Sequence, residues 1–160
     1  MPRLKANRLP NMLAFNGSSD FMTLPIVPAV TGFNLAFWFI KRNHTGNARI
    51  FDWQDAGPTN GFTVVEENST QPQIGVTTHN GAETSRLVNF MPNARMYHIA
   101  VTHNGTTSKT YINGVLTGTD TSAAFTAAAA TLTVGRRATG ATNYWNGIMG
   151  ELVFHSTATP

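Results

Sequence analysis

Cysteine is absent from the 160 residues, which removes disulfides, thiolate metal sites and a cysteine nucleophile at once. Charge is scarce as well: Asp, Glu, Lys and Arg together make up 12% of the chain, too little to dress the exposed sides of helices. The surface must instead be covered by Asn, Thr, Ser and Gly, which favour turns and strands over helix interiors. No apolar run of about 18 residues occurs, so no membrane-spanning helix is expected. The opening MPRLKANRLP lacks the apolar stretch of a secretion signal. A Gly-rich phosphate loop, a nucleophile elbow and a His-Glu-x-x-His pair are also missing.

What the chain has in abundance is turn chemistry alternating with short β-branched and aromatic runs. The stretch Tyr97 to Gly114, YHIAVTHNGTTSKTYING, places Tyr97, Ile99 and Val101 on one side of a strand and His98, Ala100 and Thr102 on the other. Asn104-Gly105 at its tip suits a tight type I′ hairpin turn, and Asn113-Gly114 closes the unit. Six Asn-Gly pairs, at Asn16, Asn60, Asn80, Asn104, Asn113 and Asn146, punctuate the chain. Between them lie strand-like runs: Met12 to Phe15, Phe21 to Leu24, Arg49 to Trp53, Gly61 to Glu66, Gln73 to Thr78, Glu83 to Phe90, Thr131 to Gly135 and Tyr144 to His155. Pro25 and Pro28 mark a crossing loop, and Ala127 to Ala130 a tight connection. Phe33 to Ile40 sets Phe33, Leu35, Phe37 and Phe39 on one face and Ala36, Trp38 and Ile40 on the other, a pattern that predicts a central strand covered on both sides. The sum is an all-β domain, a two-sheet antiparallel sandwich with little or no helix. It is expected over residues 12–160, behind an extended basic arm at 1–11.

The carboxylates do not form a catalytic pattern. A retaining glycosidase needs an acid and a nucleophile about 5 to 5.5 Å apart, and none of the eight carboxylates lies two positions from another. Glu66 and Glu67 are adjacent, so a strand sends them to opposite faces, and Asp52 and Asp55 flank a turn. His98 and His103 also face opposite ways. No enzyme activity and no catalytic residue are expected. Sugar binding stays open, because sugars are held by aromatic rings against their apolar faces. The aromatic residues placed to reach a surface are Trp53, Phe62 and the adjacent pair Tyr144 and Trp145, of which one should point outward. The net charge of +3 is concentrated in a few pairs and in Arg3, Lys5 and Arg8, which make the arm a candidate for docking on a protein partner. No nucleic-acid or membrane partner is expected.

Four blocks, LAFNGSSDFMTLP, FNLAFWF, YHIAVTHNGTTSKTYINGV and LTVGRRATGATNYWNGIMGELVFH, taken in this order, resemble the laminin G-like, concanavalin A-like jelly rolls over about residues 12 to 155. The resemblance implies a jelly-roll sandwich and a structural calcium site near the first and last blocks. Asp20 and Glu151 would be its carboxylates and Asn16 a neutral ligand. Asn16 and Gly150 stand where relatives often carry Asp, and losing acidic ligands weakens a calcium site. The resemblance also implies a non-catalytic structural or interaction module, a subunit of a homo-oligomeric assembly such as a phage virion surface, decoration or tail component. The alternative is a carbohydrate-binding or adhesion module of a secreted or cell-surface protein.

Overall fold

The computed structural model describes residues 11–24, 32–43, 46–54, 60–67, 70–121 and 131–157. The arm residues Arg3, Lys5 and Arg8, the crossing loop at Pro25 and Pro28, Asp55 and the Ala127 to Ala130 connection lie outside them. Twelve strands follow in chain order: β1 Leu13–Asn16, β2 Met22–Leu24, β3 Gly32–Lys41, β4 Arg49–Gln54, β5 Asn60–Glu66, β6 Gln73–Asn80, β7 Glu83–Phe90, β8 Met96–His103, β9 Ser108–Ile112, β10 Val115–Asp120, β11 Leu132–Val134 and β12 Asn146–Thr157. They form two antiparallel six-stranded sheets, ordered β1-β12-β3-β8-β9-β10 and β2-β11-β4-β5-β6-β7. This is the expected jelly-roll sandwich, and no helix occurs among the described residues.

The tight type I′ turn falls at Asn113-Gly114 rather than at the expected tip. Both residues there have positive φ, 51° and 81°, and Ile112 pairs with Val115 directly across the turn. At the β8 to β9 tip only Gly105 is left-handed, at 103°. Residues 104–107 form a longer loop, because the Asn104 side-chain oxygen accepts the N–H groups of Thr106 and Thr107 at 3.4 and 2.9 Å. Asn60-Gly61 and Asn146-Gly147 open strands β5 and β12 instead of making turns. Gly147 is required by a close approach: a Cβ there would enter the Trp145 ring and stand 2.6 Å from the Ile40 carbonyl oxygen.

The inward alternation of both sheets meets in one aromatic core. From the first sheet come Phe33, Leu35, Phe37, Phe39, Ile99 and Val101; from the second come Phe51, Trp53, Phe62, Val64, Ile74 and Val76. The Phe33 ring packs edge-on to Phe62 at 4.7 Å and lies parallel to the His103 ring at 5.5 Å. Each such side chain contributes about 1.5 to 3 kcal/mol on leaving water. At the end of β3, Lys41 keeps the inward parity and is fully buried. Burial lowers the Lys41 pKa, and the nearby Glu66 carboxylate opposes that shift.

Strand β3 departs from the expectation of two covered faces. Its inward residues are buried, but Asn34 and Trp38 on the other face are exposed, with Ala36 and Ile40 half-buried between them. The exterior of the first sheet is therefore open.

Candidate functional site

The two outward faces differ, and the difference locates the site. On the second sheet, register aligns Thr133 with Asp52, Asp52 with Thr63 and Thr63 with Thr77. All four are buried. The Asp52 carboxylate accepts the Ala138 N–H at 3.2 Å and lies 3.9 Å from the Arg49 guanidinium. Burial dominates, however, and pushes its pKa up to about 6 against the pull of Arg49, Ala138 and Arg137. The Arg49 guanidinium also donates to the Thr63 hydroxyl at 3.3 Å. Asp52 has the titration range of an acid-base group, but its neighbours in the row are threonine hydroxyls.

On the first sheet the outward residues form cross-strand rows. Ile148, Ile40 and Met96 align in one; Trp38 and His98 in the next; Val153, Ala36, Ala100, Tyr111 and Leu116 in a third; and His155, Asn34, Thr102 and Lys109 in a fourth. Trp38 is 43% exposed, and its ring lies 4.8 Å from that of His98 at a tilt of 52°. One flank is opened by a bulge: β12 sets Gly150 and Glu151 against Trp38 alone, since Met149 pairs with Phe39 and Leu152 with Phe37. The other flank is fixed by Asn113, whose side-chain oxygen accepts the His98 N–H at 2.9 Å. Trp38, Met96, His98, Asn113 and Gly114 line an open groove of about 570 Å³. Farther along the same strands Asn34, Thr102, His103, Asn104, Thr107 and Lys109 line a polar hollow of about 220 Å³.

Three of the four aromatic residues expected at a surface are buried. Trp53, Phe62 and Trp145 have no exposed area. Trp53 and Phe62 pair across β4 and β5 with their rings in the core. Trp145 packs between Phe15 at 5.4 Å and Phe39 at 6.3 Å. Tyr144 beside it is half-buried, in keeping with the alternation. The residue passed over was Trp38. Its signal was Asn34, a polar residue on the same face of a strand whose aromatic density hid it.

Asn16, Asp20 and Glu151 do not fit a shared calcium site. The Asn16 side-chain oxygen accepts the N–H groups of Ser18, Ser19 and Asp20 at 2.9, 2.9 and 3.1 Å, and Asp20 accepts the Asn16 N–H at 3.1 Å. The group is a self-satisfied turn. Asn16 pairs with Asn146, and Glu151 lies five positions farther along β12, about 16 Å at the rise of a strand. Among the described residues no three His, Cys, Asp or Glu side chains gather where they could hold a metal ion.

These features define a lectin-like jelly-roll sandwich with an aromatic shelf on one open sheet. The chain belongs to the concanavalin A-like lectin/glucanase superfamily, whose family model matches residues 16–159. Its fold is shared with domain 4 of AbnA, a GH43 extracellular arabinanase from Geobacillus stearothermophilus solved with arabinotriose: TM-score 0.72, 19% identity, covering 92% of this chain and 71% of that one. It is shared with the CBM40 of the Ruminococcus gnavus IT-sialidase bound to α2,3 sialyllactose, at TM-score 0.72, 11% identity and coverage of 94% and 91%. Domains LG4-5 of the mouse laminin α1 chain give a TM-score of 0.65 at 12% identity, covering 92% of this chain and 42% of theirs. No curated protein sequence matches the chain.

Proposed function

We propose that the protein is a non-catalytic module that binds a saccharide on the outward face of its first sheet, with Trp38 as the stacking shelf. The observation that carries the reading is a large aromatic ring left 43% exposed in a groove, beside an imidazole and an amide side chain. Aromatic surfaces with a few fixed polar groups are what sugar rings require. Two structures of the same fold hold arabinotriose and sialyllactose in their own sites, which supports a saccharide as the ligand class. Catalysis is disfavoured because Asp52, the carboxylate with a raised pKa, has threonines where a glycosidase needs a second acid. The test is a glycan array probed with the wild-type chain and with Trp38→Ala. Binding that disappears in a variant with an unchanged circular dichroism spectrum supports the reading. A silent array, or binding that survives the substitution, contradicts it.

A second reading, a subunit of a homo-oligomeric assembly such as a virion surface, is favoured by Met96, Val153 and Leu116, large apolar side chains exposed on the same sheet. A monomer by light scattering at 100-fold different concentrations would count against it; a single closed oligomer would favour it over the saccharide reading. Either reading places the chain at an extracellular or particle surface.

A further inference from the structure

The open face is a trough with unlike ends. Its floor is Ala36 and Ala100, the smallest outward side chains of β3 and β8, paired with each other. Val153 and Tyr111 stand on either side in the same row. One end is the Trp38 and His98 shelf. The other is Asn34, Thr102, Lys109 and His155, a row with amide, hydroxyl and ammonium groups and no carboxylate. Lys109 is exposed and makes no ion pair among the described residues. Trp38 and Asn34 lie four positions apart on β3, about 13 Å at the rise of a strand. At the shelf end the nearest acid along β12 is Glu151, on the bulge opposite Trp38. The shelf end carries charges of both signs, Glu151 on β12 and the exposed Arg42 and Arg95 at the edge of the Ile40 and Met96 row, whereas the row about 13 Å away carries Lys109 and no carboxylate, within reach of an oligosaccharide.

We infer that the ligand of this trough is an acidic oligosaccharide, a chain that stacks one sugar ring on Trp38 and presents a carboxylate or sulfate to Lys109, Asn34 and Thr102. The inference rests on the proposed saccharide site and adds the sign and the position of the charge. Lys109 donates charge-assisted hydrogen bonds to the anion while Asn34 and Thr102 fix it. Neutral saccharides keep the stacking and lose the anchor.

The experiment is calorimetric titration of the whole chain with two matched pairs of probes: tetragalacturonate with its methyl ester, and a heparin-derived tetrasaccharide with its desulfated, N-acetylated and carboxyl-reduced form. The wild type binds an acidic probe about tenfold or more tightly than its neutral partner, and the preference shrinks as salt is raised. Lys109→Gln removes the preference while neutral binding persists, and Trp38→Ala removes binding of both members of a pair. Equal affinity within both pairs, with binding still dependent on Trp38, overturns the acidic ligand and leaves the saccharide site standing. Binding of no probe, or binding indifferent to Trp38→Ala, overturns both. A preference for the acid that survives Lys109→Gln also overturns the inference, because the charge would then be read elsewhere.

Discussion

The two outward faces of the sandwich come from the same strand alternation and end with opposite characters. On the second sheet the outward side chains are polar, Asp52, Thr63, Thr77 and Thr133, yet they are buried to within 2% of completely. On the first sheet the outward side chains around Trp38 are largely apolar, yet they are open. Residue polarity thus does not report exposure in this molecule. The polar row is internal structure, whose hydrogen bonds and one raised pKa bear on stability. The apolar row is accessible surface, where removing a side chain bears on ligands.

The largest effect is expected where an aromatic residue is core rather than shelf. Trp145→Ala should cost about 3 to 5 kcal/mol in urea unfolding, because its ring fills the space between Phe15, Phe39 and the Gly147 backbone. A cost below 1 kcal/mol would remove the distinction between the two tryptophans.

Next is the pH dependence of the polar face. Asp52 has its carboxyl pKa pushed from 3.8 to about 6 by burial, so between those values the folded chain keeps a proton that the unfolded chain has released. The stability tied to that proton is complete below pH 3.8, falls as pH rises, and is gone once pH passes about 6. The whole change is on the order of 3 kcal/mol. Asp52→Asn, neutral throughout, should flatten this part of the profile and be more stable than the wild type at pH 7, as measured by denaturant unfolding across the range. Stability that climbs with pH over the same window would mean that Arg49 outweighs burial.

A smaller effect is expected at the turn that borders the groove. Gly114→Ala keeps the site open, since nothing lies within 4 Å of the added Cβ, but it forces a left-handed φ of 81° on alanine. A loss of about 1 to 2 kcal/mol follows, read by thermal unfolding; no loss would mean that the turn relaxes. The smallest stability change belongs to Trp38→Ala, under about 1 kcal/mol for a half-exposed side chain. An unfolding cost comparable to that of Trp145→Ala would show Trp38 to be packing rather than shelf.

Much of the scaffold was legible in the sequence, because period two and Asn-Gly punctuation are local. The runs read as strands match β4, β5 and β7 within a residue at either end. Turn geometry was less legible. Asn104 spends its side chain on its own loop, which turned an expected two-residue turn into a longer one and left the type I′ geometry to Asn113-Gly114. The site was hardest to read. Alternation says that Tyr144 and Trp145 face opposite ways, but only the Phe15 and Phe39 rings and the bare Gly147 backbone decide that Trp145 is the inward one. For β3, alternation grouped Trp38 with Ala36 and Ile40 correctly. It could not say that Trp38 in that group stays exposed, with Ala36 and Ile40 half-buried beside it. Lys41 follows the same limit: its inward position comes from parity with Phe39, which a charged residue at a strand end does not advertise.

The most direct test uses the three tryptophans as reporters. In a proton-nitrogen correlation spectrum the indole N–H signals of Trp38, Trp53 and Trp145 are assigned by substitution, and tetragalacturonate is titrated in. The account predicts that the Trp38 indole shifts and broadens together with the amides of His98 and Lys109, while Trp53, Trp145 and the amides of Asp52, Thr63 and Thr77 stay in place. Shifts confined to Asp52, Thr63 and Thr77 with Trp38 unmoved would contradict it and assign binding to the other sheet.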